Sequence, residues 1–223
     1  MKKLSSFLAL IAVASATAVA GSAHAQAMFS DPKPYIGGGL GHVDANPNSG
    51  DYSDQRLGAT TSTNTDKSTG WKAYGGVQLN PNWGLEFGYA NLGKYSNSYS
   101  LPATASSGNS TNKLSAWTFA GTGTYPINQA FSLRAKAGIA LLRSEYSFSG
   151  SGPGYLAGDN GSDRSTNLLL GVGAQYNFNK NVSLLVEYED FGKAGKSTNN
   201  LTTPGATGQA RPSMLSASVK YTF

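Results

Sequence analysis

Apolar and polar residues alternate with a period of two along several stretches of this 223-residue chain. In WGLEFGYANLG, residues 83–93, Trp83, Leu85, Phe87 and Tyr89 share one face, while Gly84, Glu86, Gly88 and Ala90 share the other. Successive side chains of a strand point to opposite sides, so this pattern predicts a β-strand with an apolar outer face and a small or charged inner one. The end of the chain repeats it: Leu215, Ala217, Val219, Tyr221 and Phe223 alternate with Ser216, Ser218, Lys220 and Thr222. Such a segment has the length of a tilted bilayer crossing. The apolar face of a soluble sandwich would favour compact core residues. Here aromatic residues collect at the strand ends, where a membrane-interface girdle lies.

Turn signals divide the chain into eight such segments, at 34–43, 70–80, 83–93, 113–125, 131–148, 165–178, 182–192 and 212–223. The links alternate in length. Short ones occur at Asn80-Pro81-Asn82, at 126–130 and at Asn179-Lys180-Asn181, and long ones rich in Ser, Thr, Asn and Gly occur at 44–69, 94–112, 149–164 and 193–211. The long links read as solvated loops. The pattern predicts an all-β fold: an eight-stranded antiparallel transmembrane β-barrel with short periplasmic turns and four long extracellular loops. A strand edge left open in hydrocarbon costs several kcal/mol per unpaired backbone group, so the first strand, Tyr35 to Val43, is expected to pair with the last, Leu215 to Phe223.

The first 25 residues read differently. Lys2 and Lys3 precede an apolar core from Phe7 to Val19 and a small-x-small site at Ala23-His24-Ala25, the layout of a secretory signal peptide cleaved after Ala25 or Ala27. Residues 1–25 are therefore expected to be a signal peptide and 26–223 the barrel domain. The formal charge of +5 includes Lys2 and Lys3 and shows no basic run, so no nucleic-acid partner is expected. The mean hydropathy of −0.29 resembles that of a soluble protein. Alternating lipid-facing and lumen-facing residues produce the same value in a barrel. There is no cysteine, hence no disulfide or thiolate metal site.

Several segments resemble the transmembrane domain of the OmpA/OmpX class of small outer-membrane proteins: PYIGGGLGH at 34–42, GLEFGYANLG at 84–93, TYPI at 124–127, VEYEDFG at 186–192 and the ending SVKYTF. The resemblance spans essentially the whole chain after the leader and implies an integral outer-membrane location. It also implies that Val219, Tyr221 and Phe223 form the signal read by the outer-membrane assembly machinery, with periplasmic chaperones as further partners during biogenesis. Full-length members of the class carry a peptidoglycan-binding domain after the barrel. None is expected here, because the sequence stops at Phe223. Of the interior charge cluster of the class only Glu86 is matched, the other positions falling on Thr122, Gln175 and Leu185, so the gating role of that cluster is not carried over.

Parity places Lys72, Glu86, Arg134, Lys136, Glu187, Glu189 and Lys220 inside the barrel. Acids and bases nearly balance, so they are expected to pair with one another and to hydrogen-bond with Tyr74, Thr118, Thr122, Gln175 and Asn177. An interior this narrow is filled by side chains, which favours a polar plug over an ion pathway. Loss of Glu86 should then destabilise the barrel and raise its conductance. No catalytic residue, cofactor or metal is expected. His42 is the one histidine after the leader and lacks a His-x-Ser partner, and Asp51, Asp54, Asp66, Asp159 and Asp163 lack calcium-loop spacing. GGGLG at 37–41 lacks the Lys-Ser/Thr of a phosphate loop.

In the loops, Tyr52, Tyr95, Tyr99 and Tyr155 are amphipathic residues suited to contacting a host or surface ligand. Arg143, out-facing toward the external end of its strand, is a candidate contact for lipopolysaccharide phosphate or an ordinary surface charge. The sequence thus predicts a monomeric, non-enzymatic barrel set among outer-membrane lipid and lipopolysaccharide, serving envelope integrity or surface adhesion. A narrow porin for ions or small solutes is the alternative.

Overall fold

The computed structural model describes residues 32–46, 61–65, 67–101, 106–151, 159–194 and 210–223. The expected leader, Tyr52, Tyr155, Asp51, Asp54 and Asp66 lie outside them. Eight strands form the staves of a barrel: β1 Lys33–Asp44, β2 Lys67–Gln78, β3 Trp83–Leu101, β4 Ser106–Pro126, β5 Phe131–Ser151, β6 Asp159–Asn177, β7 Val182–Asp190 and β8 Ser213–Thr222. A short segment, Thr61–Thr65, pairs with the far end of β3 and continues the line of β2. Each stave is antiparallel to its neighbours, and β1 pairs with β8 from Tyr35 opposite Thr222 to Asp44 opposite Ser213. This pairing closes the ring and leaves no strand edge inside it.

The three short turns are built alike. Asn80, Asn128 and Asn179 each accept, through the side-chain oxygen, the backbone N–H groups two and three residues on, at 2.8–2.9 Å. An Asn side chain can satisfy turn donors that no ladder partner reaches, so Asn recurs at the head of each turn.

Outward positions form an apolar band. On β5 it runs from Phe131 through Leu133 and Ile139 to Leu141, all about half-exposed. Rings gather at both margins: Tyr89 lies 5.5 Å from Trp71 and 4.8 Å from Trp117 toward the long-loop end, and Tyr176 packs against Phe131 and Phe178 at the short-turn end.

Beyond the band the structure departs from the loop assignments. The stretches 94–112 and 149–164 are largely strand, because β3 and β4 pair out to Leu101 and Ser106, and β5 and β6 pair out to Phe148 and Asp159. Ser, Thr and Asn occupy both faces of these arms. With water on each side, no apolar alternation is needed to hold the backbone ladder, so the period-two signal fades while the pairing continues.

Candidate functional site

Among the described residues, the lumen brings together the largest group of ionisable side chains. Glu86 on β3 pairs with Arg134, and its other oxygen lies 2.7 Å from Lys136, both cations on β5. Glu187 on β7 meets Lys72 of β2 at 2.7 Å and Arg134 Nε at 3.3 Å. Glu189 meets Lys72 at 2.6 Å and Lys136 at 2.8 Å. Three carboxylates and three cations thus alternate across the barrel from opposing staves; Glu86 and Glu189 each bridge two cations, and Glu187 also lies 3.6 Å from Lys136 as its third. Tyr35 donates to Glu86 at 3.0 Å and accepts a hydrogen bond from Arg134 at 3.3 Å.

Glycine makes this lattice sterically feasible. Gly173 stands between Arg134 and Glu187 in the register, and Gly171 between Lys136 and Glu189. The partners therefore meet over the β6 backbone. A Cβ added at Gly173 would come within 2.6 Å of the Glu187 Cγ. The seventh charge, Lys220, stands apart from the carboxylates. It donates to Gln175 at 2.8 Å and lies 5.2 Å from the Tyr35 ring centre.

The polar side chains expected around the lattice divide. Gln175 also donates to Asn177 at 2.7 Å. The Tyr74 hydroxyl and Thr122 Oγ1, however, are buried without a hydrogen-bond partner. Tyr74 instead places its ring beneath Lys72 and Lys136, at 5.7 and 5.9 Å, so its contribution is the π-face. Tyr35 is the lattice member that sequence reasoning missed. Its inward parity, shared with Gly37 and Gly39, was the available signal.

Toward the long loops the same lumen is apolar, contrary to the expectation of a polar interior. Val43, Leu92, Tyr95, Leu114, Leu142, Leu169, Phe191 and Met214 are buried in one cluster, with alanines between them. Tyr95 is therefore not a loop contact. A bulge between Asn91 and Lys94, with Gly93 at φ +78°, shifts the register of β3. This backbone conformation favours glycine, and the shift turns Tyr95 inward. Of the remaining expected contacts, Tyr99 lies on the outer arm of β3, and its side chain is outside the described set. Arg143 points outward, half-exposed, 2.9 Å from Glu145. His42 also points outward, opposite Thr69 and Leu215. Val219 and Tyr221 lie on the outer face of β8 and Phe223 follows its last residue, exposed, with Tyr221 and Phe223 in edge contact at 5.1 Å. Among the described residues no group of His, Cys, Asp or Glu is arranged to hold a metal, and no helix is long and apolar enough to cross a membrane.

Residues 9–223 match the family model of the outer membrane protein beta-barrel domain. No curated protein matches the chain. Among solved structures, the outer membrane protein OprG from Pseudomonas aeruginosa aligns with a TM-score of 0.51 at 15% identity, over 86% of this chain and 95% of that one. Ail, the attachment invasion locus protein of Yersinia pestis, aligns with a TM-score of 0.48 at 16% identity, over 86% and 99%. Neisserial surface protein A aligns with a TM-score of 0.44 at 16% identity, over 85% and 97%. At these identities the likeness to OprG is one of fold.

Proposed function

Because the chain belongs to the outer membrane protein β-barrel family, we propose that it is a closed, non-enzymatic barrel that acts through its outer surfaces, supporting the envelope and presenting its long-loop end to the cell exterior. The observation that carries this reading is the filled lumen. The ion-pair lattice and the apolar cluster lie one after the other along the same narrow interior, and the side chains of both are buried. A hydrated path would need an unobstructed line of polar surface, which the apolar half interrupts. His42 points outward, away from the lattice carboxylates, which supports the non-enzymatic reading.

Planar-bilayer recording of the refolded protein tests the reading: no steady ohmic pore is expected. A stable open conductance in the wild type would replace it with the narrow-porin alternative.

Residues 1–25 act in this reading as the removable export leader, and Val219, Tyr221 and Phe223 as the assembly signal. Phe223→Ala is expected to slow insertion by the assembly machinery while leaving the unfolding midpoint of inserted protein unchanged. Pulse-labelled insertion kinetics at the wild-type rate would remove that role from the terminal residue.

A further inference from the structure

The barrel interior holds one cation more than the lattice uses. Glu86, Glu187 and Glu189 are matched by Lys72, Arg134 and Lys136, and Lys220 is left over, 6% exposed. Its ammonium group carries three N–H donors. One goes to the Gln175 side-chain oxygen at 2.8 Å, and the Tyr35 ring centre lies 5.2 Å away. A buried cation with only neutral contacts recovers part of its lost hydration. The short-turn half of the lumen thus keeps a positive charge that no described acid pairs with.

The groups around Lys220 leave donors to spare, not acceptors. Gln175 accepts from Lys220 and donates through its own amide to Asn177 Oδ1 at 2.7 Å. Ser183, directly opposite Lys220 in the register of β7 and β8, also donates to Asn177 Oδ1, at 2.8 Å. Both amide oxygens are therefore taken inside the network. Among the described residues nothing accepts from the Asn177 amide N–H groups or from the other two N–H groups of Lys220.

This network forms the inner wall of an open cavity. About 480 Å³ at the short-turn mouth is lined by Gln129, Gln175, Asn177, Lys180, Ser183 and Thr222. Lys220 stands one layer deeper, on the inward face two residues before Thr222. Leu185, the next inward residue after Ser183, is fully buried, so the cavity ends short of the lattice. Charge selects what can enter. Residues 32–37, 76–85, 121–132, 174–186 and 217–223 form this end of the barrel and include no Asp or Glu, while Lys180 lies exposed at the mouth. One unpaired positive charge is matched by one negative charge, and donors from two side chains match the two oxygens of a carboxylate. The same residues include no Arg, whose fork would favour phosphate.

We propose that this vestibule binds a small organic monocarboxylate, with one oxygen on the Lys220 ammonium and the other on the Asn177 amide, the Gln175 side chain swinging aside to admit it. A free acid and the C-terminal carboxylate of a short peptide share this chemistry. The compartment that supplies the ligand follows from the orientation proposed above. Nanodiscs expose both ends of the barrel, so binding and orientation fail separately.

The test is calorimetric titration of the barrel, refolded into phosphatidylcholine nanodiscs, with acetate and with N-acetylalanylalanine at constant ionic strength. Saturable binding of carboxylate is expected, and none of N-acetylalanylalaninamide, which lacks the charge. K220Q should weaken binding by about tenfold or more, whereas K113Q, which removes a lysine from the other end of the barrel, should leave it unchanged. N177D places a carboxylate beside Lys220 from the chain itself, so it should abolish binding and raise the urea midpoint. It also keeps the test open should K220Q fail to fold, which heat-modifiable gel mobility reports. Acetate binding as tightly as the peptide marks a free acid as the ligand, tighter binding of the peptide marks a chain terminus, and both uphold the site. Equal binding of the amide, undiminished binding in folded K220Q or N177D, or a loss in K113Q as large as that in K220Q overturns the proposal. Tighter binding of inorganic phosphate than of acetate also overturns it, because the site would then select charge and not the carboxylate.

Discussion

One lumen is filled in two ways. Nearer the short turns, Glu86, Glu187 and Glu189 interlock with Lys72, Arg134 and Lys136, and nearer the long loops Leu92, Leu114, Leu142, Leu169, Phe191 and Met214 pack against one another. Both halves bury their side chains, but they depend on different physics. Buried charges are tolerated only while each has its partner, since an uncompensated one forfeits several kcal/mol of hydration. Apolar side chains need no particular partner, only volume, and lose stability in proportion to the cavity left behind. The charged half is therefore sensitive to the identity of each residue and the apolar half to its size. Because the two lie in series, either should suffice to block conduction on the closed-barrel reading proposed above.

The largest effect is expected from breaking one connection of the lattice. Glu86→Ala leaves Arg134 and Lys136 with one carboxylate fewer and should cost about 3–5 kcal/mol in urea-induced unfolding from vesicles. The outward Leu85→Ala, whose site faces lipid, should cost well under half of that. The apolar half changes the outcome expected for conductance from sequence alone. Glu86→Ala should remain closed, because the cluster around Leu142 and Phe191 still seals the lumen. A steady pore in Glu86→Ala would show that the charged half is the sole seal.

Cutting the apolar half should have a smaller and more graded effect. Phe191→Ala is expected to destabilise by about 2–4 kcal/mol through the cavity it leaves, and Phe191→Leu by much less. Neither change should alter the ion pairs. Equal losses for Ala and Leu would mean that Phe191 is held by something other than volume, and would break the distinction between the two halves.

Much of this arrangement could be read from parity. The closing pair of strands and the inward set from Lys72 to Lys220 follow from alternation alone, and the three short turns follow from their Asn residues. Parity also put Leu114, Leu142 and Leu169 on the inward face, beside Thr118, Arg134 and Gly171. The apolar half was thus present in the pattern but hidden by the general expectation that a barrel interior is polar. Two features had no such signal. Asn91-Leu92-Gly93-Lys94 reads as the end of a strand running into a loop until the bulge and the positive φ of Gly93 are seen, so Tyr95 reads as a loop residue rather than as one on the inward face of a strand that continues. The extended arms, Ser- and Thr-rich on both faces, carry no alternation to read.

The smallest effect is expected at Lys220, and it separates pairing from mere charge. Lys220 is as buried as the lattice cations, at 6% exposure against 5% for Lys72 and Lys136. Its contacts, however, are neutral: the Gln175 carbonyl oxygen at 2.8 Å and the Tyr35 ring. Were burial of charge itself the source of stability, Lys220 would matter as much as Lys136. On the pairing argument it should matter little, because a buried cation with no carboxylate partner recovers only part of its lost hydration, and replacing it with an apolar side chain of similar length removes that penalty along with one hydrogen bond. Lys220→Met is accordingly expected to shift stability by no more than about 1 kcal/mol in either direction, against several for Lys136→Met, which leaves Glu86 and Glu189 each with one cation fewer. Urea unfolding of the two variants side by side makes the comparison. A loss at Lys220 equal to that at Lys136 would mean that the lower lumen is stabilised by its cations as such, and that the alternation of acid and base across the barrel is incidental.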